Sequence, residues 1–93
     1  MYAVLIELDV GDIDRDEGLA GLREHVVPAI ARLPGFRSGT WLAGNEKGKG
    51  LSLTVWETQE AAQEMANRFG PGSGPQAGAM IERCEVREVA ATA

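Results

Sequence analysis

The chain has 93 residues, of which 44% are apolar and 25% charged, a composition typical of ordered globular proteins rather than disordered ones. This length predicts a single domain over residues 1–93 with a modest core. Acidic side chains number 14 against 9 basic ones, which gives a net charge of −5. Because no cluster of lysine or arginine offsets this charge, we expect no nucleic-acid partner.

The residues that most often build disulfides and metal centres are scarce. Cys84 is the single cysteine and His25 the single histidine, so the sequence predicts neither an internal disulfide nor a metal site. We interpret Cys84 as a small hydrophobic residue at an interface rather than a nucleophile, and its thiol suits a reducing cytoplasm. The sequence shows neither a signal peptide nor an apolar run of membrane-spanning length, so we expect a cytoplasmic protein without a membrane anchor.

A strand and a capped helix open the chain. Tyr2–Val10 carries β-branched and aliphatic side chains at both odd and even positions, which indicates a central strand. Asp14 predicts the N-cap of the first helix, and Glu17, three residues later, completes a reciprocal capping box. Within that helix, Pro28 removes a backbone donor and disfavours helical angles at Val27, so we expect the helix to bend or break there.

Three further strands and a second helix follow. Phe36–Ala43 and Leu51–Glu57 are predicted strands joined by a glycine-rich hairpin. Thr58 is the predicted N-cap of a helix with an alanine-rich apolar side. Gly70–Gly78, which is rich in glycine and proline, predicts a loop able to act as a lid over a pocket. Ala79–Ala90 is a predicted strand whose many charges suit a sheet edge.

The order strand, helix, strand, strand, helix, strand is the split βαβ arrangement. It predicts an α+β protein with a ferredoxin-like βαββαβ fold, in which two helices cover one face of a four-stranded antiparallel sheet. The first and third strands are then central, and both carry bulky apolar side chains on both faces. At roughly 25 cal/mol per Å², a bare apolar face would cost on the order of 10 kcal/mol. We therefore expect a second copy to cover it, giving a homodimeric α/β barrel.

The junction after the third strand resembles a known family. The segment LTVWETQEAAQEM, together with LPGF before the second strand, is similar to the antibiotic biosynthesis monooxygenase-like (ABM) family of dimeric α/β barrels. The resemblance covers nearly the whole chain and implies a pocket between sheet and helices. In the cofactor-free oxygenases of that family, a tryptophan at the position of Trp56 and an asparagine four residues earlier hold a polycyclic phenol. Ser52 occupies the asparagine position here, and Ala62 occupies that of a tyrosine those enzymes use.

Heme-degrading members of the same family place a histidine on the helix after the tryptophan. No histidine follows His25 in this chain, so we expect no cofactor. One hypothesis is therefore a cofactor-independent monooxygenase-like enzyme or a binding protein for a small aromatic molecule. Its candidate substrate-binding residues are Trp56, Ser52, Thr54 and Trp41, and its candidate catalytic residues are His25 and Glu7. The alternative is a non-catalytic dimeric interaction module, with Trp41 as an anchor of the dimer interface.

The other candidates also have structural interpretations. Trp56 fills the core beneath the second helix if the module is simply packed. His25, near the edge of the apolar stripe of the first helix, is either a partly exposed imidazole or a general base. A carboxylate on a central strand costs free energy unless it is paired. Glu7 therefore either pairs with Arg83 or Arg87 on the neighbouring strand or points into a pocket as a base.

Overall fold

The computed structural model describes residues 1–11, 13–74 and 78–93. These residues form four strands, three α-helices and a π-helical turn in the order β1 (Tyr2–Asp9), α1 (Arg15–Gly21), the π-turn (Leu22–Val26), α2 (Val27–Ala31), β2 (Phe36–Leu42), β3 (Lys49–Trp56), α3 (Gln59–Arg68) and β4 (Met80–Glu88). None of the helices in the described part of the chain has the length and apolar character needed to cross a bilayer.

The sheet has the strand order β2-β3-β1-β4, and all neighbouring strands are antiparallel. This confirms the predicted ferredoxin-like α+β fold, with the first and third strands in the centre and the other two at the edges. β3 begins at Lys49 rather than Leu51, because Lys49 and Gly50 pair with the last two residues of β1. The other predicted strands are one or two residues too long at their ends.

The first helix is interrupted just before its proline. Asp14 caps it as predicted, since its Oδ1 accepts a hydrogen bond from the Glu17 amide at 3.0 Å. The backbone then widens into the π-turn, and Pro28 occupies the first turn of α2. Proline has no amide to donate in a regular helix, and a π-turn is one way to accommodate that loss. The helix changes to π-helical bonding before Pro28 but does not break, because Gly21, Val26 and Val27 keep right-handed helical angles. The expected departure of Val27 from helical angles is wrong, because its φ is −60° and its ψ −49°.

The second helix begins as predicted, and the loop after it is tied to the sheet. Thr58 Oγ1 accepts a hydrogen bond from the Ala61 amide at 3.1 Å, which satisfies one free donor of α3. In the predicted lid Gly70–Gly78, residues 75–77 lie outside the described residues. In its described part, the Gly72 amide donates to Ile81 O and the Ile81 amide donates to Ser73 O, both at 2.8 Å.

The core lies between the sheet and the helices. Alternation along β3 turns Ser52, Thr54 and Trp56 towards the helices, and all three are buried. The buried apolar cluster combines side chains of β1, α2, β3, α3 and β4: Val4, Ile6, Ile30, Trp56, Ala62, Met65 and Ile81. The Trp56 ring meets Phe36 edge-on with 5.5 Å between centroids, and its Nε1 donates to Thr54 Oγ1 at 2.8 Å. Trp56 is therefore packed on its ring and satisfied at its nitrogen.

The helices leave the opposite face of the sheet bare. Its centre is an apolar stripe from β1, β2 and β3, formed by Ala3, Leu5, Leu42, Leu51, Leu53 and Val55. Leu42 is 56% exposed and Leu53 46%, so the expected burial of β3 on both faces is not achieved within one chain. On the same face β4 contributes charged side chains instead, namely Arg83, Glu85 and Arg87.

The buried hydrogen bond between Trp56 and Thr54 predicts that loss of the hydroxyl group destabilises the protein at Thr54 but not at an exposed threonine. Thr54→Val should lower the free energy of unfolding by about 1–3 kcal/mol, because the Trp56 Nε1–H is left buried without an acceptor. Thr40→Val, at an exposed position of the same sheet, should change it by less than about 0.5 kcal/mol. Urea unfolding followed by tryptophan fluorescence measures both, and equal effects would contradict this account of the core.

Candidate functional site

A cavity of about 280 Å³ lies where β1 leads towards α1 and where β2 turns into β3. Its walls are mainly aliphatic and aromatic, and the apolar lining includes Leu8, Val10, Ile13, Leu19, Leu22 and Trp41. Among the described residues, the polar members of the lining are Asp14, Arg15 and Asn45. Small-molecule sites are typically concave and apolar with a few polar groups and volumes from about 300 Å³ upwards. This cavity lies just below the lower end of that range.

Trp41 forms one wall of the cavity because Gly39, which has no side chain, lies beneath its ring. Trp41 pairs with Ser52 and therefore points to the helix side of the sheet, where it packs against the core. A Cβ atom at Gly39 would lie 2.5 Å from Cη2 and 2.6 Å from Cζ3 of Trp41, so the indole lies directly over the glycine. Trp41 thus contributes to the cavity and not to the bare face of the sheet.

The hairpin turn that forms another wall is fixed by hydrogen bonds. Asn45 Oδ1 accepts from the amides of Lys47 at 2.9 Å and Lys49 at 3.1 Å. Gly48, at the left-handed φ of +73°, donates its amide to Asn45 O, and its own carbonyl accepts from the Val10 amide at 2.8 Å. The Asn45 bonds fix the shape of the turn, and the bond between Gly48 and Val10 ties the turn to the end of β1.

The structure separates the four predicted substrate-binding residues. Trp41 lines the cavity. Ser52, Thr54 and Trp56 lie along β3 in the core, and Trp56 is only 1% exposed. They do not belong to the lining formed by the described residues. Of the predicted lid, the described residues 70–74 and Gly78 do not line this cavity.

The two predicted catalytic residues lie on different surfaces. His25 is exposed on the π-turn, outside the lining of the cavity. Glu7 lies on the bare face of the sheet, opposite Arg83 in the β1–β4 register. Arg83 Nη2 donates to Glu85 at 3.0 Å, and this bond, with a smaller contribution from the charge of Glu7, raises the pKa of Arg83. The described residues contain no group of three His, Cys, Asp or Glu side chains arranged to hold a metal ion.

Burial also affects the single cysteine. Cys84 lies on the helix-facing side of β4 opposite Ile6, and burial raises the pKa of its thiol. A thiol with a raised pKa is a weak nucleophile. The geometry of Cys84 therefore agrees with its interpretation as a small hydrophobic residue, although it faces the core of its own chain.

Sequence reasoning missed most of the cavity. Leu19 and Leu22 belong to the predicted apolar stripe of the first helix, where nothing distinguishes a side chain that lines a cavity from one that fills a core. Asn45 lies in the glycine-rich turn, and an asparagine followed by glycines there is typical of any hairpin. The one available signal was Gly39 two residues before Trp41, since a glycine inside a strand often allows close approach.

Comparison with other proteins gives weak sequence relatives and clear structural ones. No family model matches this sequence. Two uncharacterised proteins of Mycobacterium tuberculosis, Rv2558 and MT2635, are each 27% identical to it over 71 residues, which is 76% of this chain. The aligned part is 30% of each of those proteins, so the chain spans less than a third of the length of the curated relatives it matches.

The structural relatives cover the whole chain. The heme-degrading protein Rv3592 of Mycobacterium tuberculosis, in a heme-free crystal structure, has a TM-score of 0.62 and 26% identity over 100% of this chain and 96% of its own. A variant of MhuD with two manganese protoporphyrin IX molecules bound per active site has a TM-score of 0.61 and 19% identity, over 100% and 98%. The chain therefore has the ABM-like ferredoxin fold of these two proteins.

The close approach of Trp41 to Gly39 predicts a sensitive position. Gly39→Ala should destabilise the protein by about 1–3 kcal/mol, because the new methyl group displaces the indole from its place in the cavity wall. Ser38→Ala, an exposed neighbour on the same strand, should have little effect. Chemical denaturation measures the difference. A neutral Gly39→Ala variant with an unchanged near-UV circular dichroism spectrum would show that the indole is not confined as described.

Proposed function

We propose that this protein is a homodimeric binding protein for a small aromatic molecule, which it holds in the cavity walled by Trp41. The cavity carries the proposal, since it combines an apolar lining with a few polar residues. Trp41 presents an aromatic ring to the cavity, and Leu8, Leu19 and Leu22 supply aliphatic contacts. A flat apolar ligand gains from both kinds of contact.

The residues present do not fit a heme. Rv3592 degrades heme and the MhuD variant binds a protoporphyrin, so heme is the group that the structural relatives suggest. Proteins hold heme iron through histidine, cysteine, methionine or tyrosine. The described lining of the cavity includes none of these residue types. The single histidine, His25, is exposed on the helix surface outside that lining. We therefore propose a ligand smaller than a porphyrin.

The geometry favours binding over oxygenation. An oxygenase of the type that the sequence resembles would need Trp56 against its substrate. Here the Trp56 ring is buried against Phe36, and its Nε1 already donates to Thr54. Within the described lining, Asp14 is the one carboxylate that could act as a base, and its Oδ1 already accepts the helix-capping bond. Binding of a small molecule is the simpler function for this arrangement.

The dimer is proposed from the bare face of the sheet. The apolar stripe would lose contact with water if a second copy related by a two-fold axis covered it. Beside the stripe, Glu85 accepts from Arg83 at 3.0 Å and from Arg87 at 3.4 Å, and these bonds lower the pKa of Glu85. The face thus offers charges of both signs next to its apolar centre. A two-fold axis would place this face against the same face of a second copy. Apolar side chains could then meet apolar side chains, and opposite charges could pair.

The proposed dimer predicts that a charge in the stripe separates the subunits. Leu53→Glu should convert the protein to a monomer at micromolar concentration, because it would bury an unpaired carboxylate in the interface. Gln63→Glu, which adds the same charge at an exposed position of α3, should leave the dimer intact. Sedimentation velocity distinguishes the two masses. A monomeric wild-type protein would contradict the proposed assembly.

The proposed ligand site predicts that substitutions of Trp41 and Trp56 affect ligand binding differently. We expect naphthalene-sized phenols and acids to raise the melting temperature of the wild type, since a ligand at 100 times its Kd stabilises by about 2.7 kcal/mol. Trp41→Ala should abolish this shift by removing the aromatic wall. Trp56→Phe should lower the melting temperature through its lost hydrogen bond and still show the ligand-induced shift.

The same measurements define the opposite results. A shift lost in Trp56→Phe and kept in Trp41→Ala would place the ligand beside β3, as the family resemblance implies. No shift with any compound would favour the second candidate, a non-catalytic interaction module. That candidate is supported by the tight packing of Trp56 in the core.

A further inference from the structure

We propose that the ligand of this cavity is an aromatic carboxylic acid, whose carboxylate is bound by the Arg15 guanidinium and the Asn45 side-chain amide. This inference rests on the proposed function, because it gives the chemical class of the ligand held in the same cavity. Both side chains belong to the cavity lining. Some hydrogen-bonding groups of the lining are already used within the protein, and others are available to a ligand.

Two side-chain acceptors of the described lining, Asp14 Oδ1 and Asn45 Oδ1, are occupied. Asp14 Oδ1 accepts from the Glu17 amide at 3.0 Å. Asn45 Oδ1 accepts two backbone amides, those of Lys47 at 2.9 Å and Lys49 at 3.1 Å. Because only the oxygen of a carboxamide can accept, these two bonds fix the orientation of the Asn45 side chain. Its Nδ2 group makes no hydrogen bond with another described residue and can donate to a ligand.

Arg15 supplies the charge. Its guanidinium makes no hydrogen bond or ion pair with any other described residue. Arg37 and Arg83, in contrast, each donate to a carboxylate, Glu57 or Glu85, at 3.0 Å. A guanidinium offers five donors in a planar fork that matches a carboxylate. Arg15 and Asn45 thus both have hydrogen-bond donors that no described residue uses.

The neighbouring negative charge does not remove this preference. Asp14 also borders the cavity, and its carboxylate opposes an anionic ligand. That carboxylate is held at the start of α1 by its capping bond, whereas Arg15 has a long side chain that can place its head group nearer the ligand. An amine ligand would instead need unoccupied acceptors, and two of the side-chain acceptor oxygens in the lining, Asp14 Oδ1 and Asn45 Oδ1, already accept backbone amides.

Matched acid and amide ligands test the inference. Isothermal titration calorimetry would measure 2-naphthoate and 2-naphthamide, and benzoate and benzamide, against the wild type and Arg15→Gln. We expect each acid to bind the wild type roughly tenfold tighter than its amide, the effect of one charge-assisted contact. In Arg15→Gln the acid should fall to the affinity of the amide. Arg23→Gln, an exposed position on the π-turn outside the cavity, should retain the preference.

The outcomes separate this inference from the proposed function. If acids and amides bind the wild type equally, or if Arg15→Gln keeps the preference, the carboxylate site is overturned and the apolar cavity site stands. If neither member of either pair binds the wild type while the protein is folded and dimeric, both proposals fail. Gln is a good helix former and Arg15 is exposed, so loss of folding does not complicate the variant.

Discussion

The side-chain alternation of the two central strands decides what each face of this sheet can do. In β3 it turns Ser52, Thr54 and Trp56 to the helices, and it leaves Leu53 on the other side. The polar atoms of Trp56 and Thr54 can be buried because the Trp56 Nε1 donates to Thr54 Oγ1. The outward set has no such partner within the chain. The packed core and the bare apolar stripe are therefore two results of one period-two pattern.

The same pattern determines where space remains between sheet and helices. Near the Phe36 end of the sheet, the large ring of Trp56 fills the layer between sheet and α3. At the other end, β3 carries Gly50 on the helix-facing side, and the π-turn widens the first helix before Pro28. Leu19, Leu22 and Trp41 line the space that remains there. A cavity at that end follows from small residues in the sheet opposite an interrupted helix.

Much of the fold could be predicted from the sequence because its signals are local. Asp14 and Thr58 cap helices through bonds to residues three positions later, and apolar periodicity identifies each strand. Local reasoning failed at Val27, where the expected effect of Pro28 on the preceding residue was absorbed by a π-turn one turn earlier. Propensity rules describe single residues, whereas a helix can distribute the loss of one hydrogen bond over several.

The site was harder to predict because a cavity forms where side chains do not fill the space between the sheet and the helices. Trp56 had the strongest sequence signal, and it lies in the core because Thr54 and Phe36 complete its environment. Whether an aromatic side chain is enclosed or faces a space depends on the volume of its neighbours in three dimensions. No spacing of residues along the chain encodes that volume. Trp41 was predicted as a possible ligand contact, but its orientation towards the helices depends on its register with Ser52.

The cavity and the bare face share one pair of residues, and this connects the two proposals. Leu42 and Leu51 pair across β2 and β3 in the apolar stripe, and both also line the cavity. A second copy that covers the stripe would therefore order the same pair of residues that borders the cavity. If ordering this pair favours both events, each tightens the other by the same factor, because linkage between two binding equilibria is reciprocal. Such coupling would make the fraction of dimer sensitive to ligand, with the strand pair as its physical basis.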